Sequence, residues 1–274
     1  LWGGFKGGVP RAALDLPRAK RKGTRMSRFA FLPRITPTLA ALFALLLAGI
    51  ARAAETTPLA TSTAAAPATS IVLPALAADD RWAKEMLAFA AEDAAHPAPE
   101  RPIVFTGSSS IRLWKDLATD YPGLRVMNRG FGGSRVKDLV RHFDRVILQY
   151  RPRQVVIYSG TNDINGGVPV DEVVADVRRV VDRINRELPE ARVLFLSLAL
   201  NPARWAKRDL MLETNAKVRA YLEQDPRNQF LDVNTVMLGA DGLPKPDIFV
   251  ADKLHMNRKG YELWAPLVRP WLVP

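Results

Sequence analysis

The chain has 274 residues, 48% of them hydrophobic and 24% charged, with no cysteine and a formal net charge of +11. That length holds one substantial domain or two small ones, and the missing cysteine excludes disulfides, thiol catalysis and a lipid-anchored cleavage site. Residues 1–25 carry +6 and residues 26–53 a further +3, so 54–274 carry only +2 and the basicity gives no footprint for a nucleic-acid partner.

In chain order, residues 1–25 open on Leu1 and contain the basic tract "KRKGTR". We read this stretch as a segment translated upstream of Met26, with the tract a flexible basic flank. Met26 begins a charged region with Arg28 and Arg34, followed by the apolar run "LAALFALLLAGI" (39–50) and Ala51-Arg52-Ala53. A short apolar run closed by a small-x-small site has the layout of a secretory signal peptide. It is too short to span a bilayer, which needs about 20 residues. Export is therefore expected, with no stable membrane insertion after cleavage. Residues 54–78 are rich in Ala, Thr, Pro and Ser, a composition that buries too little apolar area to offset its ordering entropy, so a disordered linker is predicted.

From residue 79 to 274 the texture is that of one folded domain. Trp82, Met86, Leu87 and Phe89 predict a short amphipathic helix ending before Pro97, Pro99 and Pro102. Strands are predicted at 103–106 (IVFT), 125–128 (RVMN), 154–158 (QVVIY), 192–197 (RVLFLS) and 229–232 (QFLD). These runs are short, Val/Ile-rich and almost continuously apolar, as strands covered on both faces should be. Helical patterns lie between them. The clearest is Val173, Val174, Val177, Val180, Val181, Ile184 and Leu188, with Asp171 and Glu172 in its first turn. A final helix runs through Leu263, Trp264 and Leu267. Such alternation implies an α/β fold with a parallel sheet between helical layers, and such sheets bind ligands beyond the carboxyl ends of their strands.

Four polar clusters fall at those ends: Gly107-Ser108-Ser109-Ser110, Asn128-Arg129-Gly130-Phe131-Gly132-Gly133-Ser134, Gly160-Thr161-Asn162-Asp163 and Asp252-Lys253-Leu254-His255. Each alone is ordinary cap or turn chemistry. Together they supply what acyl transfer needs: a hydroxyl nucleophile, a base, an acid to orient the base, and donors for an oxyanion. Of the three histidines, His96 lies in the Pro-rich approach and His142 inside the helix after the second strand, which leaves His255 as base. Asp252, three residues earlier, shares a helical face with it at that spacing. A carboxylate there holds Nδ1–H and frees Nε2 to accept a proton. Gly133 and Asn162 are the candidate oxyanion donors.

With these four blocks in this order, the chain resembles the SGNH (GDSL-type) hydrolase family over about residues 80–270. The resemblance implies a three-layer α/β/α sandwich around a five-stranded parallel sheet, flavodoxin-like in topology. It makes Ser109 the nucleophile and Asp252 and His255 its partners, with the oxyanion met by the Ser109 and Gly133 backbone N–H groups and by Asn162. It implies no metal or organic cofactor. Ser108 stands where the family has aspartate, a Gly-Ser-Ser-Ser-Ile variant, which puts in doubt any role of that aspartate here. Ser110 reads as first-turn helix chemistry. Position 111 is isoleucine, which separates the chain from the Gly-x-Ser-x-Gly elbow of α/β-hydrolases.

The expected activity is hydrolysis of a small-molecule or polysaccharide ester by an exported enzyme, a short acyl group such as acetyl being the best match. A non-catalytic envelope or carbohydrate-binding protein on the same scaffold, and an O-acyltransferase, are the alternatives. Trp114, Phe131, Arg204 and Trp205 are near enough to the blocks to line the site, although Trp114 with Leu113 and Leu117 also fits helix packing against the sheet. Of these, Arg204 and Trp205, in the loop after the fourth strand, are the candidate substrate-binding residues.

Overall fold

The computed structural model describes residues 71–274. The expected upstream segment, the signal peptide and the linker as far as residue 70 lie outside the described residues. The elements run α1 (Ala83–Ala95), β1 (Ile103–Gly107), α2 (Ser109–Arg112), α3 (Leu117–Asp120), β2 (Val126–Gly130), α4 (Val136–Arg141), α5 (Phe143–Val146) and β3 (Gln154–Tyr158). They continue through α6 (Thr161–Asn165), α7 (Val170–Glu187), β4 (Arg192–Leu196), α8 (Arg208–Leu222), β5 (Asn228–Leu231), α9 (Asn234–Met237) and α10 (Arg258–Val268). All five predicted strands are present, within two residues of their expected ends.

The strands form one parallel sheet in the order β2-β1-β3-β4-β5. The chain moves outward from β1 to β2 and then returns to the other side of β1 with β3. The connections diverge there, beyond the carboxyl ends of β1 and β3, the place where sheets of this kind bind ligands. Ser109 and Asn162 both emerge at that point.

Because strand side chains alternate, each strand feeds two cores. Phe105, Val156, Leu194 and Leu196 pack under Trp114, Tyr121 and Trp264 on one face, while Val155, Ile157, Val193 and Phe195 meet Val173, Val177, Val180 and Ile184 of α7 on the other. The result is the three-layer sandwich the sequence predicts. Trp114 is core: its ring lies edge-on to Phe105 and Trp264 and its Nε1–H donates to Asp120 at 2.6 Å.

Phe131 departs from the expectation that it lines the site. It is fully buried, edge-on to Trp82 and His142, because the chain turns it inward as β2 ends. Arg129 is a second surprise. Although charged, it is 2% exposed, donating to the Tyr150 hydroxyl at 2.8 Å and pairing with Glu92 and Asp93. This ion cluster clamps α1 to edge strand β2. At the opposite end of the sheet the carboxy-terminal segment is tied to central strand β3. The Gln154 carboxamide donates to the Trp271 carbonyl at 2.8 Å and accepts from Val273 N–H at 2.9 Å. The packing also starts earlier than residue 79, since Leu76 lies against the α7 core and Arg145 donates to the Pro74 carbonyl.

Candidate active site

The nucleophile candidate is placed by a glycine. Gly107, the last residue of β1, has φ +123°, and a Cβ there would lie 2.0 Å from the Tyr158 carbonyl oxygen of β3. Only glycine allows this approach and this backbone. The chain then turns directly into α2. Ser108 is buried and its carbonyl accepts the first helical bonds, from Ile111 and Arg112 N–H. Ser109 opens the helix, half-buried. Ser110 is buried behind it, and its carbonyl accepts the Tyr261 hydroxyl proton at 2.9 Å, joining α2 to α10.

His255 reaches Ser109 from the loop before α10. Its Nε2 lies 2.8 Å from Ser109 Oγ, and its Nδ1 lies 2.6 Å from Asp252 Oδ2. A carboxylate accepts only, so Nδ1 carries the proton and Nε2 presents its lone pair to the serine. The expectation that Asp252 and His255 share a helical face is corrected here. Residues 251–256 form a turn, with Lys253 in the left-handed region at φ +56°, and α10 starts only at Arg258. Asp252 builds this turn itself: its Oδ1 accepts the Leu254 and His255 N–H groups, each at 2.9 Å. Local side-chain bonding of this kind competes with helix and here prevails. The His255 ring and these two N–H groups together pull the Asp252 carboxyl down to about 2. Asp252 is thus ionised at any ordinary assay pH, although its side chain is 47% exposed.

The loop after β2 is laced in place from several sides. Phe131 N–H donates to the Gly107 carbonyl at 2.9 Å, the Ser134 hydroxyl to the Phe131 carbonyl at 2.9 Å, and Trp82 Nε1–H to the Gly132 carbonyl at 3.0 Å. Within it Gly133 is exposed at φ +74°, its N–H free of any side chain of its own. Asn162 stands opposite, in the first turn of α6. Its Nδ2 donates one proton to the Ser134 carbonyl at 2.9 Å, and its Oδ1 accepts from Arg204 Nη2 at 2.9 Å. Its neighbour Asp163 is buried and accepts Val136 N–H, the first of α4, at 3.1 and 3.3 Å on its two oxygens. Burial raises its carboxyl to about 6, even against that hydrogen bond.

Ser109, His255 and Asp252 therefore meet in one relay, with Gly133 on the loop after β2 and Asn162, in the first turn of α6, joined to that loop through Ser134. Of the two expected substrate-binding residues, Arg204 meets Asn162. Trp205 packs against the α7 core with Arg208 stacked over its ring. Sequence reasoning gave Asp163 no role. Its acceptor role is toward α4, 27 residues away in sequence, so no local pattern signals it. His142 is buried beside Asp80 and edge-on to Phe131, and burial lowers its basicity, in keeping with a structural position. Among the described residues no group of three or more His, Asp or Glu assembles that could hold a metal ion.

The chain is similar to known proteins of one family. The family model of the GDSL-like Lipase/Acylhydrolase family matches residues 94–263. Platelet-activating factor acetylhydrolase IB subunit alpha1 of Homo sapiens is 32% identical over 196 residues, covering 67% of this chain and 79% of the relative. Among solved structures, a GDSL-like lipase from Bacteroides thetaiotaomicron superposes with TM-score 0.58 at 21% identity, over 68% of this chain and 96% of that one. A catalytic mutant of an acetylxylan esterase from Geobacillus stearothermophilus gives TM-score 0.52 at 18% identity, over 62% and 93%. With its sheet, its four strand-end blocks and these likenesses together, the chain belongs to the GDSL-like lipase/acylhydrolase family of ester-cleaving hydrolases.

Proposed function

We propose that this protein is an exported serine esterase that removes short acyl groups, acetyl foremost, from a small-molecule or polysaccharide ester. The observation that carries the mechanism is the unbroken relay from Asp252 through His255 to Ser109, at 2.6 and 2.8 Å. Ser109 Oγ attacks the ester carbonyl carbon as its proton passes to His255 Nε2. Asp252 stabilises the imidazolium that forms. The carbonyl oxygen becomes an oxyanion, met by the N–H groups of Ser109 and Gly133 and by the second Nδ2 proton of Asn162. Collapse breaks the carbon–oxygen bond, and the alcohol leaves with the proton held on His255. Water, deprotonated in turn by His255, cleaves the acyl-enzyme to the acid and regenerates Ser109.

Acetyl is favoured because two similar proteins, an acetylhydrolase subunit and an acetylxylan esterase, carry that group in their names. Export rests on the charged and apolar layout of residues 26–53. A chromogenic ester series of rising acyl length, run on the purified protein with and without acceptor alcohols, tests the reading. Ser109→Ala and His255→Ala should lose about 10³-fold or more in kcat, while Ser108→Ala and Ser110→Ala keep most activity. An active Ser109→Ala would overturn the assignment. A wild type inert from acetyl to long-chain esters would favour a binding protein, and ester products in acceptor alcohol would favour acyl transfer. Amino-terminal sequencing of exported protein should begin after Ala53.

A further inference from the structure

Arg204 donates to the side chain of Asn162, a member of the proposed oxyanion donor set, and its surroundings are unusual. Its guanidinium is part-buried, and among the described residues no carboxylate pairs with it. Its side-chain hydrogen bond goes to a neutral acceptor, Asn162 Oδ1, at 2.9 Å. Withdrawing a guanidinium from water without a counter-charge is unfavourable, and burial lowers its proton affinity accordingly.

An asparagine carboxamide has two nearly isosteric orientations, and only one of them turns N–H toward an oxyanion. Here both ends of the amide are specified. The Ser134 carbonyl, 2.9 Å from Nδ2, demands a donor, and Arg204 Nη2, 2.9 Å from Oδ1, demands an acceptor. In the flipped orientation oxygen would face oxygen and N–H₂ would face guanidinium, so both contacts would become repulsive. With Oδ1 and one Nδ2 proton engaged, the other Nδ2 proton has no acceptor among the described residues. A positive charge on Oδ1 also polarises the amide and strengthens its remaining N–H as a donor.

Arg204 is itself braced. Its backbone N–H donates to the buried Asn201 side chain at 3.0 Å, and its φ −120° and ψ 21° break the short 3₁₀ segment Pro202–Lys207. The preceding Ala203 N–H donates to the Lys253 carbonyl at 3.1 Å, inside the turn that carries Asp252 and His255. Upstream, Leu198 and Leu200 N–H groups are held by the side chains of Asn215 and Asn234 at 2.7 and 2.8 Å. The stretch after β4 thus touches both halves of the site, the oxyanion side through Arg204 and the histidine side through Ala203.

We propose that Arg204 is a positioning residue for the oxyanion hole, locking and polarising the Asn162 carboxamide and not gripping the substrate directly. The proposal rests on the esterase reading above for its consequence in rate, but not for its consequence in structure. On the best ester, Arg204→Met should lower kcat about 10- to 100-fold with KM within about 3-fold. Arg204→Lys should recover part of the loss, since it keeps a charged donor. In an Asn162→Ala background, itself down about 10²- to 10³-fold, adding Arg204→Met should cost less than about 3-fold more. Full additivity, or a loss confined to KM, would overturn the proposal in favour of a direct substrate contact.

The second readout needs no substrate. In ¹⁵N-asparagine-labelled protein, the Asn162 side-chain resonance pair, assigned by its loss in Asn162→Ala, should shift and broaden in Arg204→Met and stay sharp in Arg204→Lys. An unchanged pair in Arg204→Met would overturn the proposal whether or not any ester is cleaved. An inert wild type with the predicted spectral change would instead remove the esterase reading and leave the amide lock standing.

Discussion

The buried carboxyl of Asp163 makes a prediction that can be worked through with its sign. An Asp in an unfolded chain titrates near 3.8, whereas this one, desolvated at 1% exposure, titrates at about 6. The folded state therefore holds the proton more tightly than the unfolded state between those values. Stability contributed by the protonated form is fully present below pH 3.8 and is lost as pH rises through about 6. At 1.36 kcal/mol per pH unit, the loss amounts to up to about 3 kcal/mol. Asn at this position imitates the protonated acid in shape and retains a carbonyl oxygen to accept Val136 N–H, but it cannot ionise. Urea unfolding of wild type and Asp163→Asn at pH 4, 5, 6 and 7.5 gives the difference in stability at each pH, and titrations elsewhere cancel. That difference should move in favour of Asn by about 2–3 kcal/mol between pH 4 and 7.5. A flat difference, or one moving in favour of Asp, would show that hydrogen bonding to Val136 outweighs desolvation and would refute the reasoning.

Three further outcomes follow from geometry described above. Gly107→Ala places a Cβ 2.0 Å from the Tyr158 carbonyl at an unfavourable φ; it should destabilise by about 3 kcal/mol or more, read as a fall in denaturant midpoint or as loss of soluble protein. Asp252→Asn keeps Oδ1 for the two turn N–H groups but offers N–H₂ to His255 Nδ1, favouring the wrong tautomer. It should cut kcat by about 10²- to 10⁴-fold in steady-state kinetics on the best ester, and an unimpaired kcat would contradict the role given to Asp252. Arg129→Ala leaves the Tyr150 hydroxyl and the part-buried Asp93 without their donor, while Glu92 stays in solvent; chemical denaturation should show a loss of about 1–3 kcal/mol, whereas a loss under about 0.5 kcal/mol would mean the cluster contributes nothing net.

Much of the fold was legible because a buried parallel strand leaves little choice of residue: IVF, VVIY and VLFL are apolar on both faces, as two covering layers require. The strand ends were legible for the complementary reason, since polar residues in such a sheet collect where it meets solvent. What escaped notice depended on distant partners. Arg129 reads as an exposed strand end, and nothing near it in sequence announces Glu92, Asp93 and Tyr150. Phe131, set among glycines, reads as a loop aromatic until Trp82 and His142 are seen around it. The Asp252–His255 spacing was read correctly as contact and wrongly as helix, because three residues also span a turn closed by the aspartate itself. Arg204 was placed near the site by its position after β4, but its acceptor lies 42 residues away, beyond any local pattern.

The tie between Gln154 and the segment Trp271–Val273 has a practical consequence. It holds the carboxy-terminal segment at the amino end of β3, one five-residue strand, or about 17 Å, from the edge that carries Ser109 and Asn162. A fusion partner, dye or surface tether attached after Pro274 therefore leaves the nucleophile side facing away from the support. A protein immobilised in that orientation presents the strand edge with Ser109 to a polymer too large to diffuse into a randomly coupled layer.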